Sequence, residues 1–214
     1  MNVGIVGSGD VGRALGRGFI SRGHDVMIGS REPHSNKLTE WKNANGARAK
    51  TGAFAEAAAF GELLVLATRW SGTENAIRLA DPKNFGGKTL IDATNPLIFE
   101  QNKLPRLALG HTDSGGEQVQ RWLPHARVVK AFNIIGNQHM VDPKFPNGPP
   151  TMMYCGNDPA AKTTLDEICK TFGFEPLDCG NIEAARELES LCILWVRVGF
   201  MTSNWNQVFK LLRK

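Results

Sequence analysis

The sequence predicts an α/β fold of the Rossmann type: a doubly wound, mostly parallel sheet with a C-terminal strand and helix extension. Three observations lead there. Short apolar, β-prone segments alternate with helical periodicity through the first two thirds of the chain. The first such strand runs straight into a glycine-rich turn that opens a helix. Residues 63–67 are apolar at every position, as a strand covered on both faces of a parallel sheet must be. Repeated β-α-β units of this kind close by right-handed crossovers.

Taken in order, residues 2–6 read as a buried strand. Residues 11–22 form a helix with Leu15, Phe19 and Ile20 on one face. A second strand at 25–29 precedes a helix over 37–45, a short strand at 47–50 and a small alanine-rich helix. After the apolar strand come a helix over 72–79, a strand at 89–92, a helix over 114–122 and a strand at 127–131. Asn147-Gly148-Pro149-Pro150 is a turn before a strand at 151–155. Asp158-Pro159 opens the next helix as N-cap and first helical proline, and Gly173 ends it. Residues 175–178 are extended, residues 182–198 form a largely apolar helix, and a further helical piece is expected to the end. With no linker, repeat or low-complexity tract, residues 1–214 read as a single nucleotide-binding domain. Residues 151–214 form an extension covering the acceptor side.

The 214 residues are 42% hydrophobic and 21% charged, the balance of an ordinary globular chain. No apolar run approaches the roughly 20 residues that span a bilayer. Met1-Asn2-Val3-Gly4 enters the glycine turn directly rather than a signal segment, so a cytoplasmic protein without a membrane partner is expected. The net charge of +4 comes from scattered residues, with no dense basic block. That argues against nucleic acid and suits an anionic small molecule. The basic tail 209–214 reads as a solvated helix end. Four cysteines include no C-x-x-C pair and five histidines (His24, His34, His111, His125, His139) show no ligand spacing, so no metal site is expected. His24 and His125 read as structural, whereas His139 is a candidate for the acceptor pocket.

The chemistry begins at Gly7-Ser8-Gly9-Asp10-Val11-Gly12, a complete G-x-G-x-x-G between strand and helix. The first glycine permits the tight turn, the second lets backbone approach a pyrophosphate, and the third lets helix and strand pack closely. Free N–H groups and the positive dipole end of the helix face the phosphates. An NAD site would place a carboxylate at the end of the second strand for the ribose 2′-hydroxyl. This chain has Gly29-Ser30-Arg31 there, a hydroxyl and a guanidinium that attract a 2′-phosphate, so NADP(H) is the expected cofactor. Glu32 opposes that reading and Lys37 supports it. Three further strand ends should line the crevice: Ala67-Thr68-Arg69, Asn95 within Ala93-Thr94-Asn95-Pro96, and Ala131-Phe132-Asn133. Of these, Ala67, Thr68, Arg69, Asn95, Ala131 and Asn133 are the candidate cofactor contacts.

These segments, with Lys130-Ala131-Phe132-Asn133, Asp178-Cys179-Gly180 and Ala185-Arg186-Glu187-Leu188-Glu189, resemble one family over nearly the whole chain. It is the NADP oxidoreductases that use the deazaflavin coenzyme F-420. The chain is also similar to the nucleotide-binding part of the ferric reductases called six-transmembrane epithelial antigens. The resemblance implies hydride exchange between NADPH and a deazaflavin- or flavin-type ring. Such a step is mostly a matter of holding two ring carbons in contact, so no catalytic side chain is singled out. It leaves the small-molecule acceptor open among deazaflavin, flavin and ferric chelates. Residues 136–150 and 188–200, with Arg186, Glu189, Trp195 and Arg197, are expected to shape its pocket, and residues 201–205 to close over it or to cap the fold. Two other readings stand beside this one: a pyrroline-carboxylate-type imine reductase, and a non-catalytic NADP(H)-binding redox sensor. The strand-like segments 151–155 and 175–178 argue against the imine reductase. The apolar C-terminal helix is compatible with a homodimer.

Overall fold

Strand formation follows burial. β1 (Asn2–Val6) holds Val3, Ile5 and Val6 with no exposed surface, which fixes it in the middle of a sheet. Then come α1 (Asp10–Ser21), β2 (Asp25–Gly29), α2 (Asn36–Asn45), β3 (Ala49–Gly52), α3 (Phe54–Phe60) and β4 (Leu63–Leu66). α4 (Thr73–Leu79) and β5 (Thr89–Asp92) precede a hairpin of β6 (Leu97–Ile98) and β7 (Arg106–Leu107). α5 (Gly115–Trp122), β8 (Arg127–Lys130), β9 (Thr151–Gly156), α6 (Pro159–Thr171), β10 (Glu175–Asp178) and α7 (Ala185–Thr202) complete the chain.

The computed structural model describes residues 1–101 and 103–214. Among them, eight strands form one sheet in the order β10-β9-β8-β5-β4-β1-β2-β3. The six from β3 to β8 are parallel, which is the doubly wound Rossmann arrangement. β9 runs antiparallel to β8, and β10 parallel to β9, so the extension joins the same sheet in the opposite sense. From β1 the chain winds first toward β3 and then back through β4 toward β8. The crevice opens where these two halves part, outside the carboxyl ends of β1 and β4.

Two apolar layers hold this sheet. One packs α1, α2 and α6 through Leu15, Phe19, Leu38, Trp41, Leu165 and Phe172 onto Ile5 and Ile28. The other packs α3, α4, α5 and α7 through Phe54, Ile77, Val119 and Leu188 onto Val6, Leu64 and Leu90. Among the described residues, no helix is long and apolar enough to cross a membrane.

Two expectations shift. The short third strand starts at Ala49 rather than residue 47, because Gly46, at φ +69°, ends α2 and residues 46–48 form a tight 3-10 turn. The helical piece expected after residue 202, including the tail 209–214, is not helical. Ser203 turns the chain at φ +52°. Thr202 Oγ1 then accepts from the Asn204 amide (3.3 Å) and Asn204 Oδ1 from the Asn206 amide (2.9 Å), local bonds that compete with helix. Trp195 Nε1 donates to Gln207 O (2.9 Å) while Gln207 Nε2 donates to Trp195 O (2.7 Å). The tail finally runs beside the start of β9, where Phe209 O accepts from Thr151 N at 3.0 Å.

Candidate functional site

At the end of β1 the backbone must turn within one residue. Gly7 does so at φ +128°, and a Cβ there would sit 2.3 Å from Ala67 O. A Cβ on Gly12 would come within 2.2 Å of Gly7 O, so the third glycine is fixed by the packing of α1 against the loop. Gly9 is different, because a Cβ there would meet nothing within 4 Å. The open side of the loop lies over Gly9, which is also the N-cap of α1 and offers no side-chain cap. The first N–H groups of α1 therefore face that opening with the positive end of the helix dipole. Asp10 places a carboxylate nearby, but it is tied to Arg13 and lies 3.8 Å from Lys37, which offsets its charge.

The second strand delivers Ser30 and Arg31 to the same place. Ser8 Oγ donates to Ser30 Oγ at 3.1 Å, joining the glycine loop to the end of β2. Ser30 is buried, whereas Arg31 is exposed and makes no ion pair among the described residues. Glu32 is exposed too, and its amide is held by Ser30 Oγ at 3.1 Å.

The other strand ends continue the line. Ala67 N bonds Val6 O, Ala93 N bonds Leu66 O, and Ala131 N bonds Asp92 O, so β1, β4, β5 and β8 stop at one level. Beyond it, Thr68 Oγ1 meets Thr73 Oγ1 at 2.8 Å, and Arg69 is exposed. Phe132 turns the chain at φ +59°, a strained value for an aromatic residue. That turn brings Asn133 against Asn95. Asn95 Nδ2 donates to Asn133 O (2.8 Å), and Asn133 Nδ2 donates to Asn95 Oδ1 (3.0 Å) and to Leu188 O (3.0 Å). Asn133 Oδ1 is buried without a hydrogen-bond partner among the described residues.

Directly beneath these ends lies a cluster of buried charge. Lys130 and Asp92 are register partners on β8 and β5, and Nζ meets Asp92 Oδ2 at 3.0 Å. Glu189 of α7 brings Oε1 to 2.7 Å from the same Nζ. Burial pulls the Lys130 ammonium toward its neutral form, but Asp92 and Glu189 outweigh it and hold its pKa above the ordinary lysine range. Glu189 also accepts the amides of Gly115 (2.9 Å) and Gly116 (3.0 Å) at the start of α5, and Asp92 accepts from Thr94. Beside it Arg186 grips Glu117, whose pKa is lowered chiefly by that bond. Sequence reasoning expected Arg186 and Glu189 at an acceptor pocket and passed over Asp92 and Lys130 as partners. Here they bind the sheet, α5 and α7 together.

His139 packs against Phe145 with the rings tilted at 60° (4.9 Å between centroids) and meets Asn206 Oδ1 at 3.1 Å, while Trp195 packs on Trp205. His24 packs against Phe19 at the end of α1. A cavity of about 280 Å³ between residues 145–150 and 206–210 is separate from the glycine loop. No group of three or more His, Cys, Asp or Glu among the described residues is placed to hold a metal ion.

Residues 2–96 match the family model described as NADP oxidoreductase, coenzyme F420-dependent. A crystal structure from Arthrobacter sp. FB24, provisionally described as an F420-dependent NADP-reductase, is 35% identical with a TM-score of 0.94, covering 100% of each chain. The chain belongs to the F420-dependent NADP oxidoreductase family. It is also 27% identical to the F420-dependent NADP reductase of Methanocaldococcus jannaschii, over 92% of this chain and 91% of that one. Metalloreductase STEAP3 of Rattus norvegicus is 32% identical over 88% of this chain and 36% of its own length. The chain thus spans about a third of that metalloreductase.

The residues fit the family's cofactor. The open face over Gly9 suits a pyrophosphate, and Arg31, exposed beside Ser30 and without an ion pair among the described residues, suits a 2′-phosphate.

Proposed function

We propose that this protein transfers a hydride between NADP(H) and a small-molecule acceptor with a deazaflavin- or flavin-type ring, in the cytoplasm. The observation that carries the cofactor half is Arg31, exposed and without an ion pair among the described residues, at the end of β2 beside Ser30 and the glycine loop. Bound NADPH supplies the hydride. The glycine loop and the α1 N-terminus hold the pyrophosphate, and Arg31 and Ser30 select the 2′-phosphate. The ends of β4, β5 and β8 would lie against the nicotinamide, and the transfer would rest on holding the two rings in contact, with no acid or base assigned to it. Family membership supports the acceptor class. The deciding experiment follows NADPH absorbance with the deazaflavin coenzyme, free flavins and a ferric chelate, each at the same NADPH concentration. Faster turnover with the deazaflavin or a flavin is expected. Oxidation by ferric chelate alone would overturn the ring-acceptor reading, and no oxidation by any acceptor would overturn the enzyme reading.

A further inference from the structure

The outer side of α7 has the pattern of a helix that packs on another helix. Ala185, Leu188, Glu189 and Cys192 turn inward and are buried. The opposite side carries Glu187, Leu191, Leu194, Val198 and Met201 at alternating steps of four and three residues, the seam spacing of paired helices. Leu194 is 49% and Met201 75% exposed, so this seam is uncovered among the described residues. The chain that follows α7 does not cover it, because Trp205 folds back on Trp195 and Gly199, on another side of the helix. Arg197 is the single charged residue between positions 190 and 209. A helix apolar over so much of its circumference is of the buried kind.

The charges on this side say what covers it. Glu187 opens the seam and Arg197 flanks its far half; both are exposed, and neither makes an ion pair among the described residues. At their spacing on one helix they stand about 15 Å apart along the axis and cannot meet each other. A second α7 laid antiparallel on the first brings each Arg197 to the Glu187 of the other copy. Parallel pairing would instead set Glu187 against Glu187. We propose that this protein forms a twofold dimer in which α7 packs antiparallel on the α7 of a second copy, with an Arg197–Glu187 pair at each end of the seam. Twofold symmetry makes the contact self-complementary, so one stripe supplies both the apolar residues and the two opposite charges. α7 also holds Glu189 against Lys130, so the contact braces the helix that anchors the buried cluster.

Sedimentation equilibrium tests this without ligand or turnover. Wild-type protein at micromolar concentration should show twice the 23.4 kDa mass of one chain. Leu194→Glu changes an exposed side chain, so it should keep the circular dichroism spectrum of the wild type while the mass falls to that of one chain. Arg197→Glu should weaken the dimer about tenfold, because it sets like charges opposite each other at both ends of the seam. Glu187→Arg should do the same, and the double variant Glu187→Arg/Arg197→Glu should recover the wild-type Kd. A wild-type protein that stays monomeric overturns the inference. A dimer indifferent to Leu194→Glu lies on another surface and overturns it as well. Single charge variants without effect, or a double variant that does not recover, overturn the antiparallel pairing and the inference with it.

Discussion

Lys130 and Glu189 meet at 2.7 Å inside the protein with neither side chain more than 1% exposed. Asp92 completes the cluster from the neighbouring strand. Two carboxylates and one ammonium are tolerable there because the spare negative charge is met by the Gly115 and Gly116 amides and by Thr94. The cluster ties β5, β8, α5 and α7 at one point, directly under the ends of β5 and β8.

Removing the cation should therefore be severe. Lys130→Met leaves two buried carboxylates facing each other and should cost about 3–5 kcal/mol of stability. Urea unfolding followed by tryptophan fluorescence measures it. A loss under about 1 kcal/mol would mean that the two carboxylates do not depend on the Lys130 ammonium for their place in the fold.

The glycine loop allows a separation of folding from binding. Gly12→Ala forces a Cβ to 2.2 Å from Gly7 O and should lower the melting temperature as well as cofactor affinity. Gly9→Ala enters open space, so its melting temperature should match wild type while NADP+ binding weakens at least tenfold. Unchanged affinity in a folded Gly9→Ala protein would move the pyrophosphate away from this loop.

On the proposed reading, Arg31 selects the dinucleotide. Arg31→Ala should weaken NADPH by about 2 kcal/mol, the scale of a hydrogen bond to a charged group, and leave NADH almost unchanged. The two Kd values from fluorescence titration decide it. An equal loss for both cofactors would place the 2′-phosphate elsewhere.

What could be read from sequence follows the range of the interactions. The turn at the glycine loop and the place of Ser30-Arg31 after β2 were legible because each is set by a few neighbouring residues of backbone. The strand ends were legible because apolar runs stop abruptly at Ala67, Asp92 and Ala131. The Lys130 cluster was not, since Asp92, Lys130 and Glu189 come from separate elements and a charged residue in sequence reads first as surface. The tail was misread because its apolar spacing suits a helix, while the Asn204 and Asn206 turn bonds and the Trp195–Gln207 exchange redirect it. The Asn95–Asn133 brace likewise exists only once β5 and β8 are paired.

Stability should fall in alkali from a predictable point. Burial pushes the Cys155 and Cys192 thiols up to about 12 and Tyr154 up to about 12. A folded-state pKa raised above the unfolded value gives stability that is complete below the unfolded pKa and is lost as pH rises. Unfolded thiols ionise near pH 8.5, so the loss begins there, and phenol and ammonium add to it above about pH 10. The urea midpoint under reducing conditions should be level from pH 7 to 8 and then decline. Each buried thiol contributes a slope approaching about 1.4 kcal/mol per pH unit. Cys155→Ala should flatten the limb between pH 9 and 10. A midpoint that stays level to pH 10 in the wild-type protein would mean these thiols ionise as readily in the fold as out of it.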